Sequence, residues 1–194
     1  MVMPAPQFID QLERYFNLLR RWNARINVTG LPLEPPVDET FDRLFVEPLA
    51  ASTQVPDEPL SWFDLGSGGG SPAIPLKVVR PALRLTMIES KTRKAAFLRE
   101  VVRVLNVADA RVENARIEAV ADRSAGAAEL ITLRAIRVQR GLVEAATRML
   151  SLDGKLILFT TRDKDSAAEL AGLVELATVR LRRCAIVTYA PLFH

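Results

Sequence analysis

The stretch Trp62-Phe63-Asp64-Leu65-Gly66-Ser67-Gly68-Gly69-Gly70-Ser71-Pro72 constrains this chain more than any other, because it joins a short apolar strand to a cluster of glycines. Leu60 to Leu65 reads as the strand, and Ile74, Leu76 and Val78-Val79 follow as the apolar positions of a helix. A backbone that turns tightly at positive φ and lets a ligand come close needs glycine, since a β-carbon would obstruct both. Strand, glycine turn and helix in this order predict a nucleotide-type site, with helix N-terminal N–H groups facing the ligand. Glycines after a strand also form plain loops, so the remainder of the chain has to decide.

Downstream, the pattern alternates. Arg84 to Glu89 reads as a second strand and Thr92 to Leu105 as a helix with Ala96, Phe97, Val101, Val102 and Leu105 on its apolar side. Ala110 to Val112 is a short strand, Ile117 to Asp122 a brief helix, and Leu130 to Leu133 the fourth strand. A helix over Leu142 to Leu150, a fifth strand over Gly154 to Thr161 and a helix over Ser166 to Leu173 follow. Two last strands, Ala177 to Leu181 and Cys184 to Tyr189, leave no room for a helix between them and must pair antiparallel. The expected fold is α/β and Rossmann-like: a seven-stranded, mostly parallel sheet with right-handed crossovers and an antiparallel final hairpin.

Upstream, Phe8, Leu12, Tyr15, Phe16, Leu19 and Trp22 recur at helical spacing, which predicts an amphipathic helix from Pro6 to Asn23. A second helix, Glu39 to Ser52, carries Phe41, Leu44, Phe45 and Leu49 on one side and contains Pro48, which should kink or interrupt it. Residues 1–58 are therefore expected to form a helical cap on a core of residues 59–194, the two making one domain. At 194 residues, 49% hydrophobic and 25% charged, the composition is globular, and no apolar run reaches the roughly 18 residues of a membrane span. Met1 to Gln7 lacks the basic and apolar regions of a secretory signal, which predicts a cytoplasmic protein. A lone cysteine, Cys184, excludes an internal disulfide and reads as a strand residue, while the only histidine, His194, stands at the end of the chain. Histidine catalysis and metal sites built from His or Cys are set aside; no metal is expected. The net charge of +3, with arginine greatly outnumbering lysine, suits a polyanionic partner.

In a doubly wound sheet the ligand binds outside the carboxyl ends of the strands, where Gly66 to Gly70 would stand. Glu89 ends the second strand about 20 residues after the glycines, the interval at which an acidic side chain accepts hydrogen bonds from ribose hydroxyls. Asp64, a charge inside an apolar strand, requires a partner, and a cationic ammonium group would serve. Neither a dinucleotide nor a nucleoside triphosphate fits as well, because no Lys-Ser or Lys-Thr follows the glycines and the final hairpin is foreign to the dinucleotide fold. The acid after strand two and the hairpin point to S-adenosylmethionine.

Several runs together carry a resemblance. They are Arg21-Trp22-Asn23 with Asn27-Val28-Thr29, the stretch Phe63 to Leu76, Val79-Arg80-Pro81, Glu89-Ser90 with Lys94 and Phe97-Leu98-Arg99, Ala115-Arg116-Ile117-Glu118, and Leu133-Arg134-Ala135. In this order they resemble the GidB (RsmG) family, ribosomal RNA small subunit methyltransferase G, over nearly the whole chain. The resemblance implies a class I S-adenosylmethionine-dependent methyltransferase that makes 7-methylguanosine in 16S ribosomal RNA. It implies cofactor contacts at Gly66, Ser71, Ile117, Glu118 and Arg134, with Arg134 also positioning the reacting groups; Asp64, Gly68, Gly70, Glu89 and Ser90, at the glycine turn and the strand ends beside it, complete the expected cofactor set. RNA contacts would come from Arg20, Arg21, Asn27, Arg43 and Arg137, with the small ribosomal subunit as partner. The family usually has an arginine-histidine and an aspartate-serine pair in the second helix, where this chain has Asp42-Arg43 and Val46-Glu47. It also usually has a lysine ending strand five and an arginine-histidine pair opening the last strand, against Thr160-Thr161 and Arg183-Cys184 here. A methyltransferase on another RNA or a small molecule, or a noncatalytic RNA-binding relative with a retained cofactor site, are the alternatives.

Overall fold

A computed structural model gives the structure of the chain and describes residues 6–134, 140–160, 170 and 172–192. Its strands are β1 (Ser61–Leu65), β2 (Arg84–Ile88), β3 (Ala110–Glu113), β4 (Ala128–Arg134), β5 (Leu150–Thr160), β6 (Leu173–Arg180) and β7 (Ala185–Pro191). They assemble in the order β3-β2-β1-β4-β5-β7-β6. β1 pairs in parallel with β2 and β4, and β3 and β5 extend the parallel run on either side. β7 then lies antiparallel between β5 and β6, as the short connection after Arg180 requires. The strand order reverses next to β1, so the glycine turn that follows Leu65 opens at the switch point of the sheet.

Side-chain alternation along the strands divides the interior in two. Trp62, Leu85, Met87, Leu130 and Ile157 join one cluster with Tyr15, Leu19, Leu44, Ile74, Phe97 and Leu98. That cluster is covered by α1 (Pro6–Asn23), α4 (Ala73–Val79) and α5 (Thr92–Leu105), and the residues before β1 share it with those after. Phe63, Leu65, Ile131, Leu133, Leu156 and Leu158 form the other, against α6 (Ile117–Ala121) and α7 (Arg140–Met149). Gln11 Nε2 and Arg14 Nη2 of α1 donate to the carbonyls of Leu105 and Val104, at 3.3 and 2.7 Å, and so satisfy acceptors left open at the end of α5.

Three expectations are corrected. The second helix is not one element: α2 (Asp38–Phe41) leads into a π-helical turn, Asp42–Val46, then α3 (Glu47–Ala51) and a 3-10 turn, Ser52–Gln54. Pro48 is the cause, since it has no N–H to return to the preceding turn, and the wider turn sits immediately before it. β5 begins at Leu150 rather than Gly154, pairing Leu150 with Ala128 before a shift of register opposite Leu130. Gly154 fits there because an added β-carbon would lie 2.7 Å from the carbonyl oxygen of Ala128. Cys184 precedes β7 and is buried, and desolvation reinforced by nearby Glu47 pushes its thiol up to about 12. The helix expected over Ser166 to Leu173 falls mostly outside the described residues, and Leu173 itself opens β6.

Candidate active site

The glycine turn is pinned from within. Leu65 is paired with Ile88, so the chain leaving β1 runs beside the end of β2, and the N–H groups of Gly66 and Ser67 both donate to the carbonyl of Ile88, at 2.9 and 3.0 Å. Gly68 N–H donates to Glu89 Oε2 at 2.9 Å, and Gly70 N–H to the Ser67 carbonyl at 2.7 Å. Gly66, Gly68 and Gly70 all have positive φ, which explains the residue type. Their neighbours differ, however. A β-carbon on Gly68 would meet only the Gly66 carbonyl oxygen, at 3.7 Å, whereas one on Gly70 would lie 3.1, 3.3 and 3.4 Å from Ile74, Leu98 and Tyr15. Gly68 belongs to the cleft; Gly70 faces the interior.

The cleft above this turn has a volume of about 870 Å³, within the range of small-molecule sites. Of the residues expected to meet a cofactor, Gly66, Gly68, Ser71, Glu89, Ser90, Ile117, Glu118 and Arg134 line it. Asn114 Nδ2 donates to the carbonyls of Glu89 and Ser90, at 2.9 and 3.1 Å, and this brings the loop before α6 beside the end of β2. Glu89 is buried, and its Oε1 accepts from Lys91 N–H at 2.7 Å while Oε2 holds Gly68. Asp64 does not line the cleft but lies under Gly66 and Ser67 in β1, fully buried. Its Oδ1 accepts from Thr132 Oγ1 at 2.5 Å and its Oδ2 has no hydrogen-bond partner among the described residues. Burial pushes its carboxyl pKa up, opposed by the hydroxyls of Ser67 and Thr132 and by the charge of Arg134.

Arg134 ends β4 with only 8% of its surface exposed. Its Nη2 lies 2.9 Å from Glu47 Oε2, its Nη1 donates to Ser71 Oγ at 2.9 Å and to the Arg43 carbonyl, and its guanidinium stacks 4.2 Å from the centre of the Phe159 ring. Desolvation pushes its pKa down to about 10, against the pull of Glu47, so the guanidinium stays charged at neutral pH. Ser71 Oγ in turn donates to the carbonyls of Arg43 and Leu44, at 2.9 and 3.3 Å. Those carbonyls are the acceptors that Pro48 cannot serve: the π turn would send the N–H of residue 48 to Arg43, and an α turn would send it to Leu44. Ser71 and Arg134 therefore make the wall between the glycine turn and the broken second helix.

The expected RNA contacts divide. Arg43 lines the cleft and lies 3.6 Å from Glu39. Arg20 binds Glu34 through Nε and Nη2, at 2.9 and 2.5 Å. Arg21 and Asn27 are exposed and outside the cleft lining, and Arg137 lies outside the described residues. Sequence reasoning missed Tyr15, whose buried hydroxyl donates to the Gly69 carbonyl at 2.6 Å, and Asn23, whose Oδ1 accepts from Val28 and Thr29 N–H at 2.9 Å each. A tyrosine in a buried helical stripe must find a partner for its hydroxyl, and that signal was available. Lys91 and Lys94 also line the cleft, and desolvation lowers the Lys94 pKa. Among the described residues, no group of three or more His, Cys, Asp or Glu is placed to hold a metal ion.

The model of the GidB family, rRNA small subunit methyltransferase G, matches residues 8–186. The chain belongs to this family. A GidB relative from Roseiflexus sp. (strain RS-1), named ribosomal RNA small subunit methyltransferase G, is 34% identical over 165 residues, 84% of this chain and 68% of that protein. One of the same name from Roseiflexus castenholzii is 35% identical over 77% of this chain, and one from Xanthomonas axonopodis pv. citri is 36% identical over 77%. The matched stretch spans 63% and 68% of those two proteins' own lengths, respectively. The fold recurs at low identity. A mutant of MtNAS in complex with S-adenosylmethionine superposes with a TM-score of 0.68 at 15% identity, over 92% of this chain and 75% of that one. A SAM dependent methyltransferase from Aquifex aeolicus does so at 0.57 and 16%, over 79% and 93%.

Proposed function

We propose that this GidB-family chain is an S-adenosylmethionine-dependent methyltransferase that modifies N7 of a guanine in 16S ribosomal RNA. The observation that carries the reading is a glycine turn with four of its amides spent inside the protein, next to two buried carboxylates with acceptor capacity to spare. A phosphate-binding turn needs N–H groups free to face the ligand. Here Gly66, Ser67, Gly68 and Gly70 all donate to protein oxygens. A ligand with ribose hydroxyls and an ammonium needs acceptors instead, and Glu89 uses two of the roughly four positions a carboxylate offers. Glu89 would hold the ribose, Asp64 the ammonium, and Ile117 and Glu118 the adenine, with Gly68 giving the backbone room to approach.

S-adenosylmethionine, when bound, supplies a methyl group on a sulfonium. Guanine N7 carries a lone pair at neutral pH, so the protein need not supply a general base. Its residues have to hold the base in line, a contribution of roughly 7–11 kcal/mol when two reactants are well oriented. The wall built by Arg134, Ser71 and the Arg43 turn does this beside the glycine turn. A guanine must be unstacked to enter, and exposed arginines such as Arg21 and Arg25 would take its flanking phosphates. In this reading residues 1–58 cap a core of residues 59–194 within one domain, and the protein works beside the ribosome in the cytoplasm. Calorimetry with S-adenosylmethionine and S-adenosylhomocysteine, followed by methylation of small subunits from a deletion strain and mass mapping, tests it. One bound cofactor and one methylated guanine are expected; absence of binding rejects the reading, and binding without methylation of 16S ribosomal RNA rejects its substrate.

A further inference from the structure

Trp62 and Thr132 are polar-tipped residues buried in the first core cluster, and nothing above assigns them a role. Both are 0% exposed, and Asp64 beside them is 1% exposed. Asp64 and Thr132 are direct partners across β1 and β4, and Trp62 stands on the same face two residues earlier. Trp62 Nε1 donates to Thr132 Oγ1 at 2.9 Å, and Thr132 Oγ1 lies 2.5 Å from Asp64 Oδ1. With Asp64 ionised, the directions of these bonds are fixed. An indole N–H only donates, so the threonine oxygen accepts from it and spends its single proton on Asp64. Oδ1 thereby accepts one hydrogen bond, and Oδ2 accepts none among the described residues.

A polar chain in an apolar core is unfavourable unless each member is satisfied, and valine would fill the place of Thr132 without any hydroxyl to satisfy. What the hydroxyl adds is a fixed plane for the carboxylate, one residue short of the strand end from which the glycine turn departs. The charges facing that carboxylate are Arg134 from β4 and Glu89 from the end of β2, with the Tyr15 hydroxyl of α1 also near. We propose that Trp62 and Thr132 are positioning residues: they hold Asp64 through Oδ1 so that Oδ2, beneath the floor of the cleft, receives the ammonium of the ligand's amino-acid end through a bridging water. The inference rests on the cofactor reading above and deepens it.

Calorimetry with two ligands separates the two ideas. S-adenosylhomocysteine carries the amino-acid end, and methylthioadenosine has the same adenosine and sulfur without it. Thr132→Val should weaken S-adenosylhomocysteine about tenfold or more, the worth of a hydrogen bond to a charged group, and leave methylthioadenosine within about twofold. Thr132→Ser restores the hydroxyl and should restore the difference between the ligands. Trp62→Phe frees the hydroxyl to turn away and should give part of the same selective loss. Thr132→Val also removes a bond that favours the ionised carboxyl, so the acid limb of S-adenosylhomocysteine binding should move to higher pH. Urea unfolding shows whether each variant is folded; if Thr132→Val is not, Thr132→Ser and Trp62→Phe still decide. Equal losses for both ligands, no loss, or an unmoved acid limb overturn the positioning role while the cofactor site stands. A wild-type protein that binds neither ligand overturns both.

Discussion

Gly68 and Gly70 have the same residue type and the same sign of φ, yet substituting alanine at each should do different things. At Gly70, φ is +90° and the new β-carbon would press on Ile74, Leu98 and Tyr15 at 3.1–3.4 Å. A left-handed conformation costs a non-glycine residue about 1–2 kcal/mol, and overpacking a core adds about 1–3 kcal/mol. Gly70→Ala should therefore lose about 2–5 kcal/mol of stability. At Gly68, φ is +51° and the nearest atom is 3.7 Å away, so only the conformational part applies, about 1–2 kcal/mol. The β-carbon there enters the cleft instead, where it meets whatever binds. Urea unfolding should place Gly70→Ala well below Gly68→Ala in midpoint with an unchanged slope. Calorimetry with S-adenosylhomocysteine should show the larger loss of affinity in Gly68→Ala. If Gly70→Ala keeps the wild-type midpoint, or Gly68→Ala is the less stable of the two, the division of the turn into an interior and a ligand side is wrong.

Three further outcomes follow from the same geometry. Glu47→Ala leaves Arg134 buried without its partner and should destabilise by about 3–5 kcal/mol, against about 0–1 kcal/mol for Arg20→Ala at the exposed Arg20–Glu34 pair; urea unfolding compares them. Because burial raises the Asp64 pKa, the folded state binds its proton more tightly than the unfolded state, so stability should fall as pH rises from about 4 through the folded value. Asp64→Asn should remove that fall, leaving the ligand-free protein at least as stable at pH 7 while weakening S-adenosylhomocysteine; thermal unfolding across pH and calorimetry check both. For RNA, Arg21→Ala with Arg25→Ala should flatten the slope of log affinity against log salt by about 0.7–0.9 per lost phosphate contact, and Arg20→Ala should change it less because Glu34 already holds that side chain.

What the sequence made legible was whatever depends on local pattern. The alternation after Leu60 implied the parallel sheet, Thr92–Leu105 emerged with the bounds its apolar spacing predicts, and Glu89 stands where its distance from the glycines places it, 21 residues after Gly68. What stayed hidden depends on partners far away in the chain. The glycine stretch suggests amides facing a ligand; that those of Gly66, Ser67 and Gly68 are consumed by Ile88 and Glu89 follows only from the pairing of β1 with β2. Arg134 could be read as a strand-end cation, but its burial against Glu47 and Phe159 depends on a helix 87 residues earlier being broken by Pro48. Thr132 offered a faint signal, a hydroxyl in an apolar strand at the same parity as Arg134. Asp64 was recognised as needing a partner, and that partner is in part Thr132.

These hidden contacts share a direction. Tyr15 holds the Gly69 carbonyl, Asn23 folds Val28 and Thr29 so that both pack within 3.6–3.7 Å of where a Gly69 β-carbon would stand, and the carbonyls released by Pro48 receive Ser71 and Arg134. Each tie begins in the residues before β1 or at β4 and ends on the glycine turn or its flank. A buried ion pair such as Arg134–Glu47 adds little to stability over a well-packed apolar pair, but it ties the end of β4 to the broken second helix. The sheet recurs in structures only 15–16% identical to this chain, and here it carries the cleft. Its wall and floor are set by the N-terminal segment closing on the turn. The segment that looks like an accessory in the sequence is therefore part of the site in the structure, where Val28, Thr29, Arg43 and Leu44 line the cleft.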